Sequence, residues 1–303
     1  WSIGVAKAMQ LVSEEVASHF LCSLYDQTRQ DRLVLSGGFF MNSVYNGKVL
    51  EQTPFKDVYI SYAPSDGGNS VGAALYVAHC IHKQSRREVC NSSLIGPEFE
   101  DHQIVEALDR RGITWSRLTD SADTVADLLA DGEVVAHFCG RMEFGERALG
   151  NRSILGNPRD PQVKDKINSA IKYRESYRPF APAVVAEQAH RFFEVSEGFQ
   201  CRYMEKVVKV REEHRLALPG VTHVDGSGRL QTVDAAENPR FYEILKKFDD
   251  KTGFPIVLNT SFNVNGEPIV CSPDDAISTF FNSGLRYLVM GDILVTKSPN
   301  LRR

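Results

Sequence analysis

Residues 239–297 read PRFYEILKKFDDKTGFPIVLNTSFNVNGEPIVCSPDDAISTFFNSGLRYLVMGDILVTK. Pro239 to Thr252 reads as a helix, and Pro255 to Leu258 as a buried strand. That strand delivers the polar run NTSFNVNGEPIV, and Pro273 to Asn282 reads as a second helix. Arg286 to Val289 and Ile293 to Thr296 read as a terminal hairpin turned at Gly291–Asp292. Short strands mixed with helices indicate an α/β domain. The alternation extends upstream. Asp101 to Arg111 and Ser121 to Asp131 read as helices. Ile113 to Ser116, Glu133 to Phe138, Met204 to Val210 and Arg229 to Val233 read as strands.

Upstream again, Lys83 to Ser93 is polar and turn-rich, so a domain boundary is expected near residue 95, dividing the chain into 1–95 and 96–303. Before it, residues 2–28 place Val5, Met9, Val12, Val16, Phe20 and Leu24 at helical spacing, as in a long amphipathic helix. Arg32 to Leu35 reads as a short buried strand, followed by a turn at Gly37–Gly38 and a helix from near Phe40. A strand, a glycine turn and a helix N-terminus together can cradle an anion. Asp57 to Ser61 is the next strand, and a helix runs on to about His82. Asp66 stands in the intervening loop, where it could face a metal or phosphate, or simply cap the helix. His79 and His82 read as surface residues, lacking a third ligand.

With 303 residues the chain holds one large or two ordinary domains. No apolar run approaches the roughly 20 residues of a membrane helix. A net charge of −4 gives sequence-independent nucleic-acid binding little support. The six cysteines are widely spaced with no Cys-x2-Cys pair, which argues against a zinc ribbon or a disulfide scaffold and makes a reducing cytoplasm the default.

One stretch breaks the acidic balance. Gly140 to Pro182 carries Arg141, Arg147, Arg152, Arg159, Lys164, Lys166, Lys172, Arg174 and Arg178 against five acids, while the rest of the chain sums to −8. Arginine forks and lysine point charges suit phosphate or carboxylate. Glycines at 140, 145, 150 and 156 let backbone amides approach a ligand. Pro179 and Pro182 stiffen the chain behind Arg178. The stretch is either a site for a phosphorylated or acyl-phosphate compound or a solvated charged loop. Asn259, Ser261 and Asn263 offer neutral donors and acceptors past a strand end. Thr222 to Arg229 reads as a further polar hairpin.

Six segments carry a resemblance: LSGGFFMNSVYNGKVL, SDGGNSVGAALY, GRMEFGERALGNRSILGNPR, KYRESYRPFAP, HVDGSGRLQTV and LNTSFNVNGEPIV. Together they resemble the NodU/CmcH family of O-carbamoyltransferases, over about residues 30–296. The resemblance implies a partial actin-like (ASKHA) domain followed by a YrdC-like α/β domain with a mixed twisted sheet. It further implies that carbamoyl phosphate and ATP, with Mg²⁺, form carbamoyl adenylate, whose carbamoyl group moves to a hydroxyl of a small-molecule acceptor such as a natural product or sugar. By resemblance, Lys172 and Arg178 are the catalytic pair that handles carbamoyl phosphate and nucleotide. Arg147, Arg229, Asn259 and Ser261 match further nucleotide contacts. Gly37, Gly38 and Asn42 match the nucleotide loop of the actin-like domain, and Asp66 its metal ligand, for Fe²⁺ or another divalent ion.

The family's His-x3-His motif and the first half of its actin-like domain have no counterpart in this sequence. Either a separate chain supplies that half or the sequence is a fragment, and because an isolated half-domain exposes a large apolar face a tight partner is expected. Neither membrane nor nucleic acid is expected. Two other readings are threonylcarbamoyl-adenylate synthesis of the YrdC type for tRNA modification, and a non-catalytic nucleotide- or RNA-binding module.

Overall fold

The computed structural model describes residues 2–86, 92–174 and 178–297. Trp1, Cys90 and Glu175, and part of the expected linker, lie outside the described residues. The chain forms two compact units, Trp1–Arg87 with Glu205–Val207, and Glu88–Met204 with Val208–Arg303.

The first unit contains α1 (Ser2–Thr28), β1 (Arg32–Leu35), α2 (Ser43–Asn46), α3 (Val49–Gln52), β2 (Asp57–Ile60) and α4 (Gly68–Tyr76), the last continuing as a π-turn over Val77–Ile81. Strands β1 and β2 pair in parallel. Leu33, Leu35, Val58 and Ile60 point inward from this ribbon to meet Tyr45, Val49, Phe55 and Leu21. The long helix forms where the apolar spacing predicts it, but its stripe faces outward. Val5, Met9, Val12, Val16 and Phe20 are exposed, Phe20 by 67%. Only Leu24 of that set packs on the core, beside Ala17 and Tyr25. A two-stranded ribbon covers one side of α1 and leaves the other bare. For the same reason β1 is half-buried where a buried strand was expected, with Val34 71% exposed.

The second unit runs α5 (Asp101–Asp109), β3 (Ser116–Arg117), α6 (Ser121–Ala130), β4 (Val135–Phe138), β5 (Arg152–Gly156), α7 (Val163–Ile167), β6 (Ala181–Val185), α8 (Ala189–Phe192), β7 (Lys206–Lys209), α9 (Glu212–Arg215), β8 (Ser227–Val233), α10 (Pro239–Thr252), β9 (Ile256–Ser261), α11 (Pro273–Phe281), β10 (Tyr287–Met290) and β11 (Ile293–Thr296). One nine-stranded mixed sheet takes the order β3-β11-β10-β4-β5-β9-β6-β8-β7. Pairing is parallel for β10–β4 and β6–β8, and antiparallel for β4–β5, β5–β9 and β6–β9.

Alternation along the central strands builds a core on each face of the sheet. Val135, Leu155, Val257 and Val289 turn toward α6 and α10, where Val125, Leu129, Phe241 and Phe248 are fully buried. Ala136, Ile154, Leu258 and Leu288 turn the other way, toward Ile104, Leu108, Ile167 and Phe280. Truncating such a phenylalanine to alanine costs about 3–5 kcal/mol. Helix α10 starts where Pro239 takes the first position and the Asn238 side chain accepts from the Phe241 amide. Ser272 and Asp275 cap α11 reciprocally.

Two local expectations fail. The stretch 140–182 is not one loop, because β5 and α7 lie within it. Charged flanks hid the short apolar run Ile154–Leu155, which is buried on both faces. Asn259 and Ser261 do not follow a strand end but belong to β9 itself. Their pairing with Leu155 and Ser153 of β5 extends the strand beyond its apolar part.

Candidate anion-binding site

The cationic stretch divides its charges between scaffold and site. Arg152 is fully buried, its guanidinium 3.7 Å from the Phe138 ring centroid and donating to the carbonyls of Cys139, Gly140, Asn151 and Pro97. Arg141 donates to Ile95 O, Arg159 to Thr252 O, Lys164 to Thr222 O and Lys166 to Gly132 O. These five hold the chain together. Arg147, Arg174 and Arg178 instead converge on a cavity of about 360 Å³, joined by Arg229 from β8 and walled by Asn259, Thr260 and Ser261 of β9.

Such a gathering of like charges is costly without an anion. Burial, with Arg147 and Arg174 beside it, pushes the Arg229 guanidinium down to about 9. Burial also lowers Arg147, opposed by the Glu146 carboxylate, which lines the same cavity. Lys172, 4% exposed, sits behind Ser261. Its ammonium reaches Ser261 O at 2.6 Å, Asn263 Oδ1 at 2.8 Å and Asn263 O at 3.1 Å, three pure acceptors that match its three N–H bonds. Burial first, then Arg174 and Arg178, push it down to about 7. The oxygen nest favours the charged form and opposes that push.

Asn259 is fully buried and donates to Ala148 O at 3.2 Å and to Gln231 Oε1 at 2.8 Å. Both partners are acceptors, which fixes the amide orientation. Its Oδ1 is left without a protein partner, as is the Arg229 Nε. A buried polar atom with no partner costs about 1–3 kcal/mol, so the wall suits a polyanion that also brings a hydrogen-bond donor. Two non-glycine residues adopt the left-handed region here: Met204, which lines the cavity, at φ 57°, and Tyr173, next to Lys172, at φ 44°. Such strain concentrates at functional sites.

Arg147, Arg178, Arg229, Asn259 and Ser261, singled out from sequence, are thus brought together, with Lys172 one residue layer behind. Arg174, Met204 and Gln231 were not singled out. Gln231 stands two residues after Arg229 on β8, so strand alternation places both on one face. Tyr177 and its neighbours Glu175 and Ser176, within the KYRESYRPFAP motif, lie outside the described residues.

Gly37, Gly38, Asn42 and Asp66 belong to the first unit. Gly37 takes a φ of 111°, which a side chain rarely tolerates, but its amide is already taken by Pro64 O. The helix expected from Phe40 is a 3₁₀ turn, Gly38–Met41, followed by the single turn α2. The Asn42 side chain caps α2 at the Tyr45 amide and bonds Gln10, which interrupts a continuous helix. Asp66 is exposed in the turn before α4, which has no side-chain cap. Among the described residues no group of three His, Cys, Asp or Glu side chains could hold a metal ion. The residues around Asp66 do not by themselves assemble a metal centre, and no step below is routed through one. His79 and His82 take no part in such a group, and His79 Nδ1 lies 3.0 Å from Gln84 O.

Set beside known proteins, the chain declares its family. A model described as Carbamoyltransferase C-terminus matches residues 126–297, and one described as Carbamoyltransferase N-terminus matches residues 3–75. The chain belongs to the carbamoyltransferase family of the NodU/CmcH type. Nodulation protein NolO of Bradyrhizobium diazoefficiens is 42% identical over 97% of this chain and 55% of its own length. The 3'-hydroxymethylcephem-O-carbamoyltransferase of Amycolatopsis lactamdurans is 32% identical over 86% of this chain and 48% of its own length. The chain spans about half the length of the curated relatives it matches. Among solved structures, full-length HypF in a phosphate- and nucleotide-bound form aligns at a TM-score of 0.39 and 15% identity, over 80% of this chain and 36% of that one. No helix among the described residues is long and apolar enough to cross a membrane.

Proposed function

We propose that the second unit, a YrdC-like domain, forms carbamoyl adenylate from carbamoyl phosphate and ATP, and that the carbamoyl group passes to a hydroxyl of a small-molecule acceptor. The observation that carries this reading is the cavity where Arg147, Arg174, Arg178 and Arg229 meet beside Asn259 and Ser261. The two substrates bring about six negative charges, and each charge-assisted hydrogen bond contributes about 1.5–3 kcal/mol. Holding two reactants in register removes about 7–11 kcal/mol of barrier. In this scheme Arg178 holds carbamoyl phosphate, with Lys172 adding its charge from behind Ser261, while water cleaves it to carbamate and phosphate. A carbamate oxygen then attacks the α-phosphorus of ATP and expels pyrophosphate, whose charge Arg147 and Arg229 neutralise. The acceptor oxygen finally attacks the carbamoyl carbon and expels AMP, in an actin-like transfer domain to which the first unit contributes.

We further propose that the bare face of α1 and β1 packs against the rest of that transfer domain. A groove of about 600 Å³ lined by Val12, Val16, Phe20, Leu24, Val34 and Phe39 supports this, together with relatives about twice as long. The free thiols of Cys22, Cys80, Cys139, Cys201 and Cys271 fit work in a reducing cytoplasm.

The test is carbamoyl-phosphate-dependent exchange of pyrophosphate into ATP. Exchange in the wild type that is lost in Lys172→Ala and Arg178→Ala supports the scheme. A folded sample that binds ATP yet shows no exchange refutes adenylate formation by this chain.

A further inference from the structure

The segment just after Arg147 is held in an unusual way. Three consecutive carbonyls are each taken by a buried side chain from a different strand. Ala148 O accepts from Asn259 of β9 at 3.2 Å, Leu149 O from Gln231 of β8 at 2.8 Å, and Gly150 O faces His137 Nδ1 of β4 at 2.7 Å. The amides are held too. Glu143 Oε1 accepts from Leu149 N at 2.6 Å and Asn151 N at 2.8 Å, and Ser153 Oγ accepts from Gly150 N at 2.9 Å. Burial keeps His137 neutral, at about 4, and because a carbonyl faces Nδ1 the ring carries its proton there and donates it to Gly150 O.

Buried backbone groups must find partners, and strand pairing is the usual source. Here the partners are side chains, which fix one conformation of an irregular segment more tightly than the segment could fix itself. The need is physical. Arg147 is held beside Arg229, which repels it, while Glu146 attracts it, so its aim toward the buried Arg229 depends on how its own backbone is fixed.

We infer that Gln231 and His137 are positioning residues: they clamp residues 148–150 so that Arg147 stays aimed into the cavity. This rests on the cavity being a polyanion site. Gln231 carries the larger share, since it ties the segment to Asn259 as well. Neither residue touches the ligand, so each acts only through the groups it holds.

The test is calorimetric ATP affinity for the chain as it stands, in wild type, Gln231→Met, Arg147→Ala and the double variant, alongside hydrogen exchange of the amides at 149–151. Gln231→Met is expected to weaken ATP about tenfold and to speed exchange at 149–151. In the Arg147→Ala background its effect should shrink at least threefold, because much of it runs through Arg147. His137→Leu should give the same signature and serves if Gln231→Met does not fold. Faster exchange with unchanged affinity would mean a merely structural clamp and overturn the inference. So would an affinity loss that multiplies independently with that of Arg147→Ala. Unchanged ATP affinity in Arg147→Ala would overturn the anion-site reading itself, and the clamp's purpose with it.

Discussion

Anion binding should draw a proton onto Lys172. In the free protein burial, then Arg174 and Arg178, push this amine down toward about 7 against the pull of its oxygen nest, so at pH 8 it has room to gain a proton. A phosphate brought into the cavity opposes the repulsion from Arg174 and Arg178 and favours the ammonium. The bound group is therefore more fully charged, and ATP binding at pH 8 takes up a fraction of a proton. Other sources are small or of opposite sign. Arg229, though burial pushes it down, is an arginine that stays protonated at pH 8 and adds little. ATP is ionised at pH 8, since a phosphate's second ionisation lies near about 6, and arginines keep it so. The ligand can therefore release protons but not absorb them. At pH 6 the lysine is mostly charged beforehand, and its uptake falls. The assay is titration calorimetry in two buffers of equal pH and different ionisation enthalpy, where the slope of heat against buffer enthalpy counts protons. Saturable binding at pH 8 with no uptake, or with release, would refute the placement of an anion beside Lys172.

Arg229→Met should raise the melting temperature of the free protein by removing a buried cation beside Arg147 and Arg174, while weakening ATP roughly 10- to 150-fold; thermal melts with and without ATP read both, and a lower melting temperature with intact affinity contradicts the repulsion argument. Gly150→Ala should cost about 2–6 kcal/mol, because φ is 124° and the new Cβ would overlap the Phe241 ring; urea denaturation checks this, and a loss under about 1 kcal/mol would show that the segment relaxes freely. His137 has a folded pKa of about 4, below its unfolded value near 6.5. Between those values the unfolded chain binds the extra proton, so stability is present above about pH 6.5 and falls by about 1.4 kcal/mol per unit on acidification. His223 is also pushed down to about 4 and adds a like share, so His137→Asn should remove about half of the slope in urea midpoints measured from pH 7 to 5, and an equal slope would show that His137 titrates normally. Val16→Asp with Phe20→Asp should leave the ATP affinity unchanged and abolish assembly with the remaining part of a full-length relative's fold, scored by co-purification; retained assembly would place the interface elsewhere.

Helix α10 and strand β11 were legible to the residue, and α6 nearly so, because each expresses its fold in its own neighbours: an apolar period, a cap, a terminal glycine. Strand β5 was not, because what makes it a strand is distant. Arg152 and Ser153 look like loop residues until Phe138, Pro97 and Ser261 surround them. The charge count had the same limit. It found an island of nine cations but could not divide it, since Arg152 in a carbonyl cage and Arg147 at a cavity wall are the same letter in sequence. The division depends on which backbone oxygens lie within reach, and that is tertiary information. The stripe on α1 failed in the opposite sense. Its spacing states correctly that one face is apolar, but an apolar face demands burial without saying against what. The described first unit satisfies Leu21 and leaves Val16 and Phe20 unsatisfied. That mismatch, and the unpartnered Asn259 Oδ1, are two places among the described residues where the chain's own packing is incomplete, and they are where a partner and a ligand are proposed.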